Sequence, residues 1–432
     1  MHPLQTSIFL LAPLFVSAAQ YCSLKPPSEI SSSTSKGIQN GGDASDVVAS
    51  AWYPGWLAGD FPPASISWSR YTAMTITTPD PTALLQLDSI SAQTLPDFVK
   101  EAHSNGVDAL LSIGGWTGSR FYSSAVASEH NRTAFVNATL ALVSQYNLDG
   151  VDFDWEYPGK QGLGCNVVNP DDSANFLAFL QELRATTAGK NLILTAAVGI
   201  TPFVGSNGQS MNDVSSFAEV LDRIAIMNYD VWGSWSPSVG PNAPLNDSCA
   251  SAADQQGSAV SAVKAWTTAN FPAHQIALGL AAYGHSFKVA PQSAMNGGNV
   301  ALYPSYDKSV QPVGTSDSPS DISAVDPCGN YEGISGIFTF AGLIQSGFLD
   351  KSGTAASGIQ YTFDPCSQTP FVYNQTSQVM VSYDDATSFA AKGHFINDQG
   401  LAGFAIWDVT GDQDDILLDS LHEAMGIIPV CA

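Results

Sequence analysis

Residues 149–156 read Asp149-Gly150-Val151-Asp152-Phe153-Asp154-Trp155-Glu156. Along an extended strand side chains alternate between faces, so Asp152, Asp154 and Glu156 form one column of carboxylates, while Val151, Phe153 and Trp155 face the other way. Three carboxylates this close cannot all ionise without repulsion, and at least one must keep its proton near neutral pH. A protonated carboxyl beside a charged one is what general acid catalysis requires. Two other uses of such a column compete. A solvated edge strand also alternates acidic and apolar residues, and a hard cation such as Ca²⁺ or Mg²⁺ wants several oxygens. Helix-like patterns at Ala134 to Tyr146 and at Asp172 to Thr187 flank the segment, as they flank a central parallel strand whose acids point into a barrel or crevice. No Asp/Asn/Gly loop of calcium-binding spacing accompanies the acids, so no metal is expected, and no cofactor.

The elements that must position this column recur along the chain. Short apolar runs at Val47–Trp56, Tyr71–Ile76, Ala109–Gly114, Gly150–Trp155, Leu192–Val198, Ile224–Tyr229, Ile276–Ala282 and Gly403–Asp408 are eight candidate strands. Amphipathic stretches such as Leu95–Ser104, Ala174–Thr187 and Ser258–Asn270 separate most of them. Eight strand-plus-helix units predict a (β/α)₈ TIM barrel of class α/β, with a doubly wound open sheet as the competing arrangement. The seventh and eighth strands lie too far apart for one loop. Residues 289–380, with short strand-like pieces, Gly-Pro-Ser turns and two cysteines, are expected to form a small α+β insertion. The barrel would then comprise 47–288 and 381–432.

A barrel of this kind carries its site at the C-terminal ends of its strands. There the candidate strands end in polar and aromatic residues: Trp52, Tyr53 and Trp56; Ser112 followed by Gly114, Gly115 and Trp116; Glu156 and Tyr157; Met227, Tyr229, Asp230 and Trp232; Tyr283 and His285; Trp407 and Asp408. One aromatic alone signals ordinary packing. Recurrence at the same end of several strands fits a sugar site, since rings stack on the C–H faces of sugars and acids bind their hydroxyls.

The chain has 432 residues and a formal net charge of −24. That charge excludes nucleic acid and anionic membranes as partners, and a monomer is expected. Residues 1–19 read as a signal peptide, with an apolar run from Ile8 to Val16 before Ser17-Ala18-Ala19. Residues 20–46, rich in Ser, Gly and Pro, read as a flexible leader. No later run is long enough to span a bilayer, so the protein is expected to be secreted. Six cysteines suit that compartment, with expected disulfides Cys22–Cys431, Cys165–Cys249 and Cys328–Cys366. Sequons lie at Asn131, Asn137, Asn246 and Asn374.

Over roughly residues 47–425 the sequence closely resembles glycoside hydrolase family 18, the chitinases. The D-x-x-D-x-D-x-E signature falls on Asp149, Asp152, Asp154 and Glu156 and continues into Tyr157-Pro158. S-x-G-G falls on Ser112 to Gly115, M-x-Y-D on Met227, Tyr229 and Asp230, and the barrel-closing tryptophan on Trp407. Tyr283-Gly284 before a long insertion resembles the subgroup with a chitinase insertion domain.

The resemblance implies a retaining, substrate-assisted hydrolysis of β-1,4 bonds in chitin and chitooligosaccharides. Glu156 would be the general acid and base. Asp154 would hold the acetamido N–H of the sugar, whose carbonyl oxygen attacks C1 to give an oxazolinium ion. Asp152 would share a proton with Asp154, with Ser112 supporting it and Asp149 completing the signature. Tyr229 would hydrogen-bond the acetamido oxygen and Asp230 would sit close to Glu156. Trp407 would floor the cleavage subsite between the platforms Trp56 and Trp116, with Tyr157, Met227, Tyr283 and His285 as further substrate contacts. An endo-β-N-acetylglucosaminidase acting on N-glycans and a non-enzymatic chitin-binding lectin are the alternatives. Two positions depart from the family's pattern. Trp52 stands where tyrosine is usual, so the contact is either lost or taken by Tyr53. His285 replaces the usual arginine and introduces a titratable group.

Overall fold

The computed structural model describes residues 22–25, 47–77, 85–318 and 320–431. Its centre is a closed barrel of eight parallel strands: β2 (Val48–Pro54), β3 (Ala73–Thr77), β4 (Asp108–Gly114), β5 (Gly150–Asp154), β6 (Ile193–Val198), β7 (Arg223–Ile226), β8 (Ile276–Ala281) and β16 (Gly403–Trp407). Consecutive strands pair in parallel, and β16 closes the ring between β8 and β2. The closed ring rules out the open doubly wound sheet. The eight expected strands are these eight. The clearest difference is the sixth, which stops at Ile226 rather than Tyr229, so Met227 to Asp230 lie on the loop above it.

Helices shield the outside of the barrel. Ser89–Ser104 begins where the Asp88 carboxylate accepts the N–H groups of Ile90 and Ser91, two of the donors a helix start leaves unpaired. Glu129–Tyr146 is capped by Ser128 and ends at Asn147 in the left-handed region, φ 55°. Asp172–Ala185 presents Phe176 and Phe179 to β5, where Phe153 meets both rings edge-on at 6.0 and 5.4 Å. The outward face of β5 is therefore core, as the alternation of the octapeptide requires. The inward face of the barrel is different. Ala197, Ala225, Ala277 and Ala405 fill it with small side chains around Trp52, next to Met227 and Trp407. Small residues at these positions leave room for the carboxylates above them.

After β8 the chain leaves the barrel. β9 (Tyr283–Lys288), β12 (Ile337–Thr339), β13 (Gln360–Asp364), β14 (Thr369–Asn374) and β15 (Val379–Ser382) form an antiparallel sheet in the order β12-β9-β15-β14-β13. A minor hairpin, β10 (Met295–Asn296) with β11 (Asn299–Val300), stands beside it. This sheet spans 283–382, wider than the expected 289–380, because Tyr283-Gly284-His285 open β9, the strand between β12 and β15, instead of ending a barrel strand. Within the expected leader, β1 (Cys22–Lys25) pairs with β17 (Ile428–Cys431) and sets Cys22 opposite Cys431. The rest of that leader, the expected signal peptide, and the side chains that would form a Cys22–Cys431 bond lie outside the described residues.

The other two expected disulfides are corrected. Cys165 bonds Cys328 and Cys249 bonds Cys366. Pairing by proximity along the chain fails because the insertion folds back across the barrel. Each bond joins a barrel loop to the insertion. Among the described residues no helix is long and apolar enough to cross a membrane.

Candidate active site

β5 carries Asp152 and Asp154 on its inward face, and Glu156 follows just past its end. Asp152 is buried and held by three donors. The Trp52 indole Nε1 (3.1 Å) and Ser112 Oγ (3.0 Å) donate to Oδ2, and Thr195 Oγ1 donates to Oδ1 at 2.5 Å. Burial pushes the Asp152 carboxyl up, and these three donors pull it back toward the charged form. Asp154 lies deeper in conflict. Burial first, then the charges of Glu156 and Asp152, hold it well above the ordinary carboxylate range. Its Oδ1 is buried without a hydrogen-bond partner. Glu156 is pushed up to about 7, chiefly by burial, with Tyr157 hydrogen-bonding to it and lowering it while Asp230 raises it. The column thus holds a proton at neutral pH, with burial a larger cause than the repulsion between neighbouring acids that the sequence pattern contains.

The backbone around the column explains the S-x-G-G motif. Gly114 pairs with Asp154 across β4 and β5, and a Cβ there would stand 2.1 Å from the Asp154 carbonyl oxygen. Gly115 follows at φ 87° and donates its N–H to that oxygen at 2.7 Å. Ser112 occupies the inward position opposite Asp152.

The cleft above the column has a volume of about 590 Å³. Ser112, Asp154, Glu156, Tyr157, Met227, Tyr229, Asp230, Trp56, Trp116 and Trp407 all line it. Trp116 is half exposed and Trp56 partly so, as platforms for a ligand would be. Trp407 meets Trp52 edge-on at 6.2 Å.

Three expected residues sit elsewhere. Asp149 is at the opposite end of the barrel, where its carboxylate accepts from the Ala109 N–H and contacts His103 Nε2, both at 2.8 Å. Tyr283 and His285 stand behind the cleft wall. The Tyr283 hydroxyl donates to Asp230 Oδ1 at 2.8 Å, and His285 Nε2 is 2.7 Å from the same oxygen. They orient Asp230, whose backbone is in turn held in a left-handed turn (φ 55°) by Asn242 Oδ1, which accepts its N–H at 3.0 Å. The Trp52 departure resolves in a third way: its indole N–H itself reaches Asp152. Tyr53 cannot, because it faces outward and donates to the Phe61 carbonyl at 2.7 Å.

Sequence reasoning passed over Thr195, Ser119 and Asn166. Thr195 aligns with Asp152 in the parallel register of β5 and β6, and a lone hydroxyl in the run Ile193–Val198 was its only signal. Ser119 Oγ accepts the Glu156 N–H at 3.0 Å and donates to the Asp154 carbonyl at 3.1 Å. Asn166 Nδ2 donates to the Glu156 carbonyl at 3.0 Å. Both come from loops whose return to the column no local pattern announces. Among the described residues no group of three or more His, Cys, Asp or Glu is placed to hold a metal ion.

The family model for glycosyl hydrolases family 18 matches residues 67–412. A chitinase-like effector of Moniliophthora roreri is 48% identical over 391 residues, covering 89% of this chain and 94% of that protein. Chitinase A1 of Niallia circulans is 30% identical over 336 residues, 75% of this chain and 43% of that protein. The crystal structure of a chitinase from Rhizomucor miehei superposes with a TM-score of 0.78 at 33% identity, over 87% of this chain and 99% of that one. With the column of Asp152, Asp154 and Glu156, the S-x-G-G turn and the eight-stranded barrel in their places, this chain belongs to glycoside hydrolase family 18.

Proposed function

We propose that this protein is a secreted chitinase that cleaves β-1,4 bonds between N-acetylglucosamine units with retention of configuration. The observation that carries the reading is the buried Asp154, with one oxygen unpartnered, between a triply held Asp152 and a Glu156 whose carboxyl is pushed up to about 7. An unpaired buried acceptor beside a proton-bearing acid suits a ligand that brings an N–H donor.

Glu156 gives its proton to the glycosidic oxygen as the C1–O bond breaks. The acetamido carbonyl oxygen of the same sugar bonds to C1, forming a cyclic oxazolinium ion whose N–H donates to Asp154. The positive charge of that ion is balanced by the acids around it. The Glu156 carboxylate then takes a proton from water, the water oxygen bonds to C1, and the acetamido oxygen departs. Two displacements leave the β configuration unchanged. Tyr229, lining the cleft near Asp154, hydrogen-bonds the acetamido oxygen, and Trp407 supports the sugar face. No enzyme nucleophile is used, so cellulose, which lacks the acetamido group, is inert.

The test is a product time course on chitohexaose with mass detection and NMR of the first-formed anomer, run beside cellohexaose and Glu156→Gln. Hydrolysis with β-anomer first, an inert cellohexaose and loss of turnover in the variant are expected. Unchanged turnover in Glu156→Gln would reject the mechanism.

A second reading is a chitooligosaccharide-binding protein that does not hydrolyse its ligand. It is favoured by two relatives, 48% and 46% identical over about nine tenths of the chain, that carry the name chitinase-like effector. Binding of chitohexaose by the wild-type protein without any turnover would establish that reading over the first.

A further inference from the structure

The turn after β5 sets a cation in the cleft. Tyr157-Pro158-Gly159-Lys160 has proline and glycine at the inner positions of a type II turn, and it closes as one: Lys160 donates its N–H to the Tyr157 carbonyl at 3.3 Å, with Gly159 at φ 68°. Asp172, where the next helix starts, accepts the Gly159 N–H at 3.2 Å, and Asn166 Nδ2 holds the Glu156 carbonyl just before the turn. The side chain of Lys160 is exposed, but its backbone is therefore fixed. The turn returns Lys160 over the Tyr157 ring, where Nζ stands 5.6 Å from the ring centre, within reach of a cation–π contact. Tyr157 hydrogen-bonds Glu156 and, like Lys160, lines the cleft.

Among the described residues that line the cleft, Lys160 is the one lysine or arginine; the acids there are Asp154, Glu156 and Asp230. Composition alone makes a cation rare, with 15 Lys and Arg against 39 Asp and Glu. A formal net charge of −24 draws polycations toward the protein from about a Debye length away, about 10 Å at 0.1 M salt. A fully acetylated N-acetylglucosamine chain is neutral. Each deacetylated unit bears a free amine, an ammonium in mildly acidic solution, so a partly deacetylated chain is a polycation that the whole protein attracts. Whatever keeps its charged units out of the cleft must act locally. A like charge does so: at about 7 Å in a water-like medium, two unit charges shift an equilibrium about threefold. Lys160 also occupies a face of Tyr157 on which a ligand ammonium would otherwise rest.

We propose that Lys160 is a specificity-determining residue, whose ammonium keeps glucosamine units out of the position beside Tyr157 and so restricts the cleft to runs of N-acetylated sugar. The acetamido group that Asp154 takes already selects the sugar being cleaved. Lys160 extends that selection to a neighbouring sugar, by charge rather than by a hydrogen bond. The inference deepens the proposed function: it rests on the cleft taking N-acetylglucosamine chains but not on their hydrolysis.

Lys160→Arg, Lys160→Gln and Lys160→Glu are compared with wild type on chitohexaose and on partly deacetylated chitosan in mildly acidic buffer, with the melting temperature as the check on folding. The quantity read is kcat/KM on chitosan divided by kcat/KM on chitohexaose. It is expected to stay level in Lys160→Arg, to rise about threefold in Lys160→Gln and to rise further in Lys160→Glu. At about 1 M salt, where the Debye length is about 3 Å, the four proteins should converge. A merely structural role would not order the variants by charge. The same ratio in all four proteins at low salt, or a ratio that falls when the charge is removed, would overturn the proposal. If wild type hydrolyses neither substrate, the hydrolytic reading fails by itself, and the same ratio taken from calorimetric affinities for the two ligands decides the role of Lys160.

Discussion

The charge of Asp230 adds to the burial that holds the Glu156 carboxyl high, and Asp230→Asn tests this directly. Glu156 must be protonated to act as general acid, and its carboxyl is pushed up to about 7. The protonated fraction is therefore about 99% at pH 5, about half at pH 7 and about 1% at pH 9. In kcat/KM this gives a basic limb near pH 7 that falls tenfold per unit beyond it. The negative charge of Asp230 raises the Glu156 pKa, so removing it lowers that pKa. A close charge shifts a carboxyl by about 1 to 3 units, and Asp230, half exposed, belongs at the lower end. A downward shift of about one unit leaves Glu156 protonated about a tenth of the time at pH 7. Activity at pH 7 then drops about fivefold, while activity at pH 5 is nearly unchanged. Asparagine keeps the oxygen that accepts from Tyr283 and His285, so the wall behind the cleft stays in place. The assay is kcat/KM on chitotetraose between pH 4 and 9. That substrate does not titrate, and its sugar leaving group needs the full proton, unlike an aryl one. A basic limb that stays put or moves upward would refute the assignment of Asp230 as a charge acting on Glu156.

Other perturbations separate positioning from packing. Trp52→Phe removes one of three donors to Asp152, a bond to a charged acceptor worth about 1.5–3 kcal/mol, and should depress kcat. Tyr53→Phe, one residue away and facing outward, should cost only about 1 kcal/mol of stability, read by denaturant titration, with kcat unchanged. His285→Ala removes one of the two side chains that hold Asp230 Oδ1 and should raise the chitotetraose KM several-fold; an unchanged KM discards that positioning role. Lys392 and Asp384 form a fully buried ion pair at 2.5 Å. Lys392→Ala leaves a carboxylate buried alone and should destabilise the fold by about 3–5 kcal/mol, lowering the melting temperature without altering chitotetraose KM.

The column Asp152-Asp154-Glu156 was legible because a strand's alternation is local: three acids two apart must share a face wherever the strand lies. The eight strands were legible for the same reason, as was the interruption before the last of them. Asp149 shows the limit. It belongs to the same signature, yet it starts the segment, and a strand of this length separates its two ends by the height of the barrel. Met227 to Tyr229 continue the apolar alternation of the sixth strand, but the backbone leaves the strand at Ile226 and turns at Asp230 into a left-handed conformation held by Asn242.

By itself the sequence determined which residues could carry a proton, which face of their strand they occupy and how many strands accompany them, since all of these follow from periodicity and residue type, whereas the closing of those strands into a ring came from the structure. Tertiary structure alone decided which donors hold Asp152, that Trp52 rather than Tyr53 is one of them, that His285 reaches the site only through Asp230, and which cysteines meet. Those are contacts between residues 40 to 163 positions apart. They depend on how parallel strands align and where a long insertion folds back, and no local pattern of side chains records either one.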